Sequence, residues 1–479
     1  MKFSDLQLTT PYLALHSLFY QEVEPAPLMK PYVIATSQDA AQLLGIDEEL
    51  SLDDELLKIV NGETKLKGSK TFAMCYAGHQ FGYFVQRLGD GRAINLGKVN
   101  GQNLQLKGAG TTLYSRQGDG RAVLRSSIRE FLISEAMYGL GIETSRALAI
   151  IGSDTDVARE RWEKGAIVLR LSPTWVRFGT FEYFSAANEL EKLHQLADYV
   201  INESFPELKN EENKYLKMYE IVVQKTAKTV AKWQAYGFNH GVMNTDNMSI
   251  DGRTIDYGPF AFLDDYNPYY ICNRSDTQGR YSFKSQPGIA NWNLELLAHA
   301  LAPIVDLEEA LEILEDTFGE VYETEYTKLM YQRMGLFISD EKDLLLLKLM
   351  LKSLEDAVCD YNLFFRKLSR YRGNRSEILD MAVYRDSLEK WLESYELRLQ
   401  KESLSSEARE EKMLRVNPKY ILKNHILQEA IEKADEHDFT MIQDLLKVAL
   451  APFDEHPELE YLNKPTPIHA KNIKLSCSS

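Results

Sequence analysis

Residues 236–266 read YGFNHGVMNTDNMSIDGRTIDYGPFAFLDDY. On either side the chain carries apolar residues at helical spacing: Leu216, Tyr219, Val223, Ala227 and Val230 before it, and an almost unbroken helical pattern from Leu294 onward. The segment itself interrupts that period with Gly, Asn, Asp and Pro, which predicts a loop-rich insert between helices. Loops held on a rigid scaffold commonly carry chemistry. Within this one, His240 and Asn247 stand seven positions apart, and Asp256-Tyr257-Gly258 begins nine positions after Asn247.

That spacing is similar to the protein-kinase catalytic loop, H-R-D-x-x-x-x-N, followed by D-F-G. In that pattern the Asn and the second Asp supply oxygen ligands to Mg²⁺, a hard cation that keeps several waters and borrows phosphate oxygens from a nucleotide. Asn247 and Asp256 are therefore the candidate metal ligands. The position where a kinase keeps the aspartate that accepts the substrate hydroxyl proton is Val242. Valine cannot accept a proton, so either the chain is a dead kinase or another carboxylate stands in; the nearest is Asp246, beside Asn247.

Upstream, residues 71–184 are rich in Gly and in short apolar runs at 83–88, 93–96, 104–106 and 166–171, which predict strands punctuated by turns. One helix is expected among them, at 123–138, ended by Gly139 and Gly141. Residues 83–88, the glycine turn Gly89-Asp90-Gly91 and residues 92–99 read as strand, turn, strand, with two glycines that let backbone N–H groups approach phosphate oxygens. Lys107 then ends an apolar strand, and Glu130 follows on the helix, the arrangement in which an ammonium is aimed at nucleotide phosphates and a carboxylate holds it. Arg170, at the end of its strand, and Arg177, in an aromatic stretch, are placed to clamp phosphates with their planar forks. The pentapeptide GDGRA occurs at 89–93 and again at 118–122, which reads as reuse of a turn rather than a repeat architecture.

The order of these elements predicts an α+β, bilobal, protein-kinase-like fold. A mainly β N-lobe with one key helix spans 1–185, and a large mainly helical C-lobe spans 186–479, with a C-terminal helical extension and a cysteine-containing tail. The length agrees, since single cores stop growing near ~250–300 residues and the chain has 479. Its 55 basic against 71 acidic residues, a net charge of −16, disfavour non-specific binding to nucleic acid or to anionic membrane. The N-terminus resembles no signal or transit peptide, and no apolar run reaches the ~18–20 residues a bilayer needs, so a soluble, cytoplasmic protein is expected. Four scattered cysteines, none in a CxxC spacing, speak against a disulfide scaffold and against structural zinc.

The segments YAGHQFGYFVQRLGDGRA (76–93), LKGAGTTLYSRQGDGRAVLRSSIREFLISEAM (106–137), TWVRFGTFEYF (174–184), the 236–266 stretch, NPKYILKNH (417–425) and the terminal Cys-Ser-Ser together resemble the SelO (YdiU) family of pseudokinase-fold protein adenylyltransferases. The resemblance covers nearly the whole chain. It implies a nucleotide flipped relative to kinases, so that AMP passes from ATP to Ser, Thr or Tyr hydroxyls of proteins, the enzyme itself included, and UTP with Mn²⁺ as a further co-substrate. It implies that Lys107 with Glu130, Arg170 and Arg177 hold the β- and γ-phosphates, and that Gly89, Gly91, Arg92, Asp119 and Gly120 line the nucleotide site. It further implies that Asn247 and Asp256 bind Mg²⁺ or Mn²⁺, that Asp246 is the base, and that Cys272 and Cys477 form a redox latch. Beside this reading the residues leave two others: a phosphotransferase acting on a small molecule or a protein, and a catalytically silent nucleotide-binding scaffold.

Overall fold

The computed structural model describes residues 1–471 together with 473, 475 and 476. Ten strands precede residue 173: β1 (Tyr20–Glu22), β2 (Tyr32–Thr36), β3 (Phe72–Met74), β4 (Gly78–Gln80), β5 (Tyr83–Val85), β6 (Ala93–Val99), β7 (Gln102–Lys107), β8 (Ala122–Val123), β9 (Arg146–Ala158) and β10 (Trp162–Ser172). Eight of them form one antiparallel sheet in the order β1-β3-β6-β7-β10-β9-β2, with β8 on β10, while β4 and β5 form a separate hairpin. After the helix Phe178–Ala186 the chain is helical. Among the described residues the only later strands are β11 (Phe238–Asn239) and β12 (Ala261–Phe262), which pair at the ends of the loop-rich insert.

Strand alternation decides what faces where. On β7, Leu104 and Leu106 enter a core with Leu169 and Leu171 of β10 and the N-terminal Phe3 and Leu6. The intervening Gln105 and Lys107 therefore face the opposite side, which the helix Leu124–Gly139 covers through Ile128, Phe131 and Leu132. This helix matches the expected one, except that Gly141, at φ +72°, terminates it while Gly139 lies within its last turn. Gly139 is instead a packing point: a Cβ there would lie 2.0 Å from the carbonyl oxygen of Ala449, on the helix Thr440–Leu450. The C-terminal helices thus fold back onto the helix that carries Glu130, and one apolar core runs from Tyr12 to Leu462.

One expectation is corrected. The glycine turn at 89–91 does not join a pair of hairpin strands. β5 pairs back onto β4 through Phe81 and Gly82, both at positive φ (+51° and +90°) as a two-residue hairpin turn requires, and β6 pairs with β3 and β7. The leucine-rich stretch 344–354 is only half core: Leu346, Leu347 and Leu354 are buried, whereas Leu344, Leu345 and Leu349 are exposed on the helix Asp343–Ala357. No helix is long and apolar enough to cross a membrane among the described residues.

Candidate active site

A cavity of about 560 Å³ opens between the sheet and the loop-rich insert. Gly89, Gly91, Arg92, Lys107, Asp119, Gly120, Arg170, Arg177, Asp246, Asn247 and Asp256 all line it. Glu130 stands behind them, and Val242 contributes an apolar wall.

Its centre is an ion cluster. Lys107 Nζ lies 2.7 Å from Glu130 Oε2 and 3.3 Å from Asp256 Oδ1. Arg170 Nη1 donates to Glu130 Oε1 at 2.7 Å and to Asp256 Oδ1 at 2.6 Å. Arg177 Nη1 donates to Asp256 Oδ2 at 2.5 Å and to the carbonyl oxygen of Asp246 at 2.7 Å. All three cations are buried, and the guanidinium groups lie over aromatic rings, Arg170 on Trp175 and Arg177 on Tyr76. This stacking fixes the plane of each fork. Burial pulls the Lys107 ammonium below the usual lysine value. Burial alone would raise Asp256, but Arg177, Lys107 and Arg170 hold its carboxyl well below the ordinary range. Glu130 and Asp256, with Asp90 3.9 Å from Arg177 Nη2, set three carboxylates against the three cations.

The sheet register positions this cluster. Arg170 of β10 sits opposite Gln105 of β7, which sits opposite Asn95 of β6, so three polar side chains form a row on the cavity face. Arg170 Nη2 donates to Gln105 Oε1, Gln105 Nε2 to Asn95 Oδ1 at 3.1 Å, and Asn95 Nδ2 to Asp90 Oδ2 at 3.0 Å. Asp90, buried in the glycine turn, also accepts from the backbone N–H of Met74. The turn is thereby tied to the cationic clamp. Tyr114 closes against it: a Cβ on Gly89 would lie 2.4 Å from the Tyr114 ring.

The second GDGRA is used differently. Asp119 accepts two hydrogen bonds from Arg159 and one from the backbone N–H of Arg121, which holds its carboxyl below the ordinary value. Gly120, at φ +67°, lets this turn meet the chain at Gly110, where a Cβ would come within 2.1 Å of the Gly110 carbonyl.

In the insert, Asn247 Nδ2 donates to the carbonyl oxygen of Val242 at 2.9 Å. Asp246 accepts from Gln80 Nε2 at 3.1 Å through Oδ2, while its Oδ1 is buried with no partner among the described residues. Burial pushes this carboxyl up to about 6. Gly78 makes room for it, since a Cβ there would lie 2.7 Å from Asp246 Oδ1. The next residue of β4, His79, hydrogen-bonds through its backbone N–H to Thr245 and through its ring to Glu182, which also accepts from Thr245. The β4–β5 hairpin is thus bolted to the insert beside Asp246.

Cys272 lies away from the cavity, against Gly241, with its thiol 3.6 Å from the carbonyl oxygen of Asn239. Cys477 lies outside the described residues. The tail reaches this region, since Leu475 pairs with Asn273 and its carbonyl oxygen accepts from the backbone N–H of Arg274 at 2.9 Å.

Sequence reasoning did not single out Gln80, Asp90, Asn95 or Gln105. For Gln105 a signal existed: it precedes Lys107 by two along a strand, the spacing that places two side chains on one face. Gln80 had none, because its contact with Asp246 spans 166 residues of sequence.

The family model described as Protein adenylyltransferase SelO matches residues 2–449. The chain is 45% identical to a protein named Protein nucleotidyltransferase YdiU from Thioalkalivibrio sulfidiphilus, with 100% of each covered. Proteins of the same name from Pseudomonas aeruginosa and Vibrio parahaemolyticus are 44% and 45% identical, with 99% of each chain covered.

Proposed function

Since this chain belongs to the SelO family and is a nucleotidyltransferase enzyme, we propose that it moves AMP from ATP onto Ser, Thr or Tyr hydroxyls of proteins, itself included, releasing pyrophosphate. The observation that carries this reading is the convergence of Lys107, Arg170 and Arg177 on Asp256 at one end of the cavity, with Asp246 in the same cavity and Val242 where a kinase base would stand.

In this reading the fold is kinase-like and bilobal, 1–185 and 186–479, with the nucleotide flipped. The buried cations take the β- and γ-phosphates, the densest charge of the nucleotide, so the α-phosphorus faces the acceptor. Gly89, Gly91 and Arg92 and the second turn at Asp119 and Gly120 line the rest of the nucleotide. The acceptor oxygen attacks the α-phosphorus and gives its proton to Asp246. The bond from the α-phosphorus to the bridging oxygen breaks, and its electron pair leaves with pyrophosphate, whose charge Lys107, Arg170 and Arg177 stabilise. An acid of pKa about 6 is largely ionised at neutral pH and near the optimum for a general base there. Because these contacts are to phosphates, UMP transfer from UTP belongs to the same proposal.

Asn247 and Asp256 fit a hard divalent cation as two oxygen donors whose remaining ligands come from water and nucleotide phosphates: the Asp256 carboxyl stays ionised, and the Asn247 amide nitrogen is already committed to Val242. Mg²⁺ or Mn²⁺, when bound, supplies charge neutralisation and orientation of phosphate oxygens. The cations now on Asp256 release it as the phosphates engage them. The backbone bridge from Leu475 to Asn273 supports the proposed latch between Cys272 and Cys477.

The test is incubation with Mg²⁺ or Mn²⁺ and ATP labelled at the α- or the γ-phosphate, followed by intact mass of the protein. Label from the α-position with an added AMP upholds the reading. Label from the γ-position makes the enzyme a phosphotransferase, and nucleotide binding without either label makes it a silent scaffold.

A further inference from the structure

Beside the nucleotide cavity lies a second, open cavity of about 460 Å³, lined by Phe81, Gln278, Arg280, Lys284, Gly288 and Ile289 among others. Phe81 belongs to both cavities, and its neighbour Gln80 is the residue that holds Asp246. The two spaces therefore adjoin at Phe81, at the tip of the β4–β5 hairpin.

Arg280 stacks over Trp292, 4.4 Å from the ring centroid, and its Nε is buried with no acceptor among the described residues. Lys284, which is exposed, places Nζ 3.7 Å over the Tyr269 ring. Neither makes an ion pair among the described residues, although acidic residues outnumber basic ones in the chain, 71 to 55. On the hairpin beside them, Tyr83 and Phe84 are 79% and 41% exposed, and Phe84 and Trp292 both pack on His79. Exposed aromatics around uncompensated cations are the composition that anchors a polypeptide partner, with the charges selecting it.

We propose that this groove docks the acceptor polypeptide and selects segments with carboxylates beside the target hydroxyl: Arg280 and Lys284 pair with those carboxylates, and Tyr83 and Phe84 cover the backbone. This rests on the reading of the cavity as a protein nucleotidyl-transfer site. The same contacts hold the segment while its hydroxyl passes Phe81 and Gln80 toward Asp246.

The test uses two short fluorescein-labelled peptides, each with one serine, flanked by glutamates in one and by lysines in the other. Their binding to the purified chain is read by anisotropy, and their labelling from α-labelled ATP is measured in parallel. The glutamate peptide should bind the more tightly, and Lys284→Glu, a surface change, should weaken it several-fold, with roughly tenfold for the Arg280→Glu/Lys284→Glu pair, as expected for exposed ion pairs. ATP affinity should not change, since neither residue lines the nucleotide cavity. Equal affinity for the two peptides, or no effect of Lys284→Glu, overturns the groove even if AMP is transferred. Charge-dependent binding with no label on either the peptide or the chain itself upholds the groove and overturns the transfer reading instead.

Discussion

Arg177 reaches Asp256 Oδ2 at 2.5 Å with the same nitrogen that donates to the backbone carbonyl of Asp246. One guanidinium thus ties the candidate metal ligand to the loop that carries the candidate base. The residues proposed for metal binding and for proton transfer are thereby joined through a single side chain.

Among the described residues, Asp256 is the only carboxylate that touches Lys107, Arg170 and Arg177 together. Its folded pKa lies below its unfolded value, so its contribution to stability is present at neutral pH and is lost as pH falls through the folded value. Asp256→Ala leaves Lys107, Arg170 and Arg177 buried without the carboxylate they share, at about 3–5 kcal/mol. Because Asp256 sits at φ +56°, where Asn is tolerated and most residues are strained, Asp256→Asn separates charge from backbone strain. Both variants should melt well below the parent in EDTA, and ATP should recover more stability in them than in the parent, because its phosphates replace the missing charge. A melting temperature for Asp256→Asn equal to the parent's would refute the cluster's role. Metal-dependent turnover should vanish in both.

Asp246 carries the opposite linkage. Its folded pKa of about 6 exceeds the unfolded value of 3.8, so the ionised carboxylate destabilises the fold, and stability falls as pH rises through that window. At neutral pH the penalty is on the order of 2–3 kcal/mol. Asp246→Asn should therefore raise the melting temperature at pH 7 while abolishing transfer, and the parent's kcat/KM should decline below about pH 6. A variant that is less stable, or a flat acid limb in the parent, would remove Asp246 as the base.

Gly78 borders that carboxyl so closely that a methyl group there would lie 2.7 Å from Asp246 Oδ1 and 3.0 Å from its backbone nitrogen. Gly78→Ala should force Asp246 aside at about 1–3 kcal/mol of overpacking. Its kcat should fall at least tenfold while ATP affinity stays within twofold, since the added methyl meets Asp246 and not the side chains of Lys107, Arg170 or Arg177. Equal losses in both would mean that the whole cavity had shifted.

The clamp residues were legible because each sits on a local pattern: Lys107 at the end of an alternating strand, Glu130 on the one helix among strands, and Asn247 and Asp256 at fixed spacing in a loop. The glycine turn at 89–91 was misplaced because a glycine pair marks a turn without saying which strands it joins. The positive φ of Phe81 created the real hairpin, and a phenylalanine gives no local sign of that conformation. Likewise Leu344, Leu345 and Leu349 lie off the stripe formed by the buried Leu346, Leu347, Met350 and Leu354, and a run of leucines covers both faces of the helix without marking which one packs.

The chain's periodicities and motif order were enough to pick out residues that line the cavity and to show that strands precede helices, because strand and helix periods and turn residues act over a few positions. Only the tertiary structure decided how those residues bear on one another. The row Asn95–Gln105–Arg170, the contact of Gln80 with Asp246 and the return of the C-terminal helices to Gly139 join residues that are distant in sequence. Such contacts are set by sheet register and by the burial of a shared core, and both are properties of the folded chain as a whole.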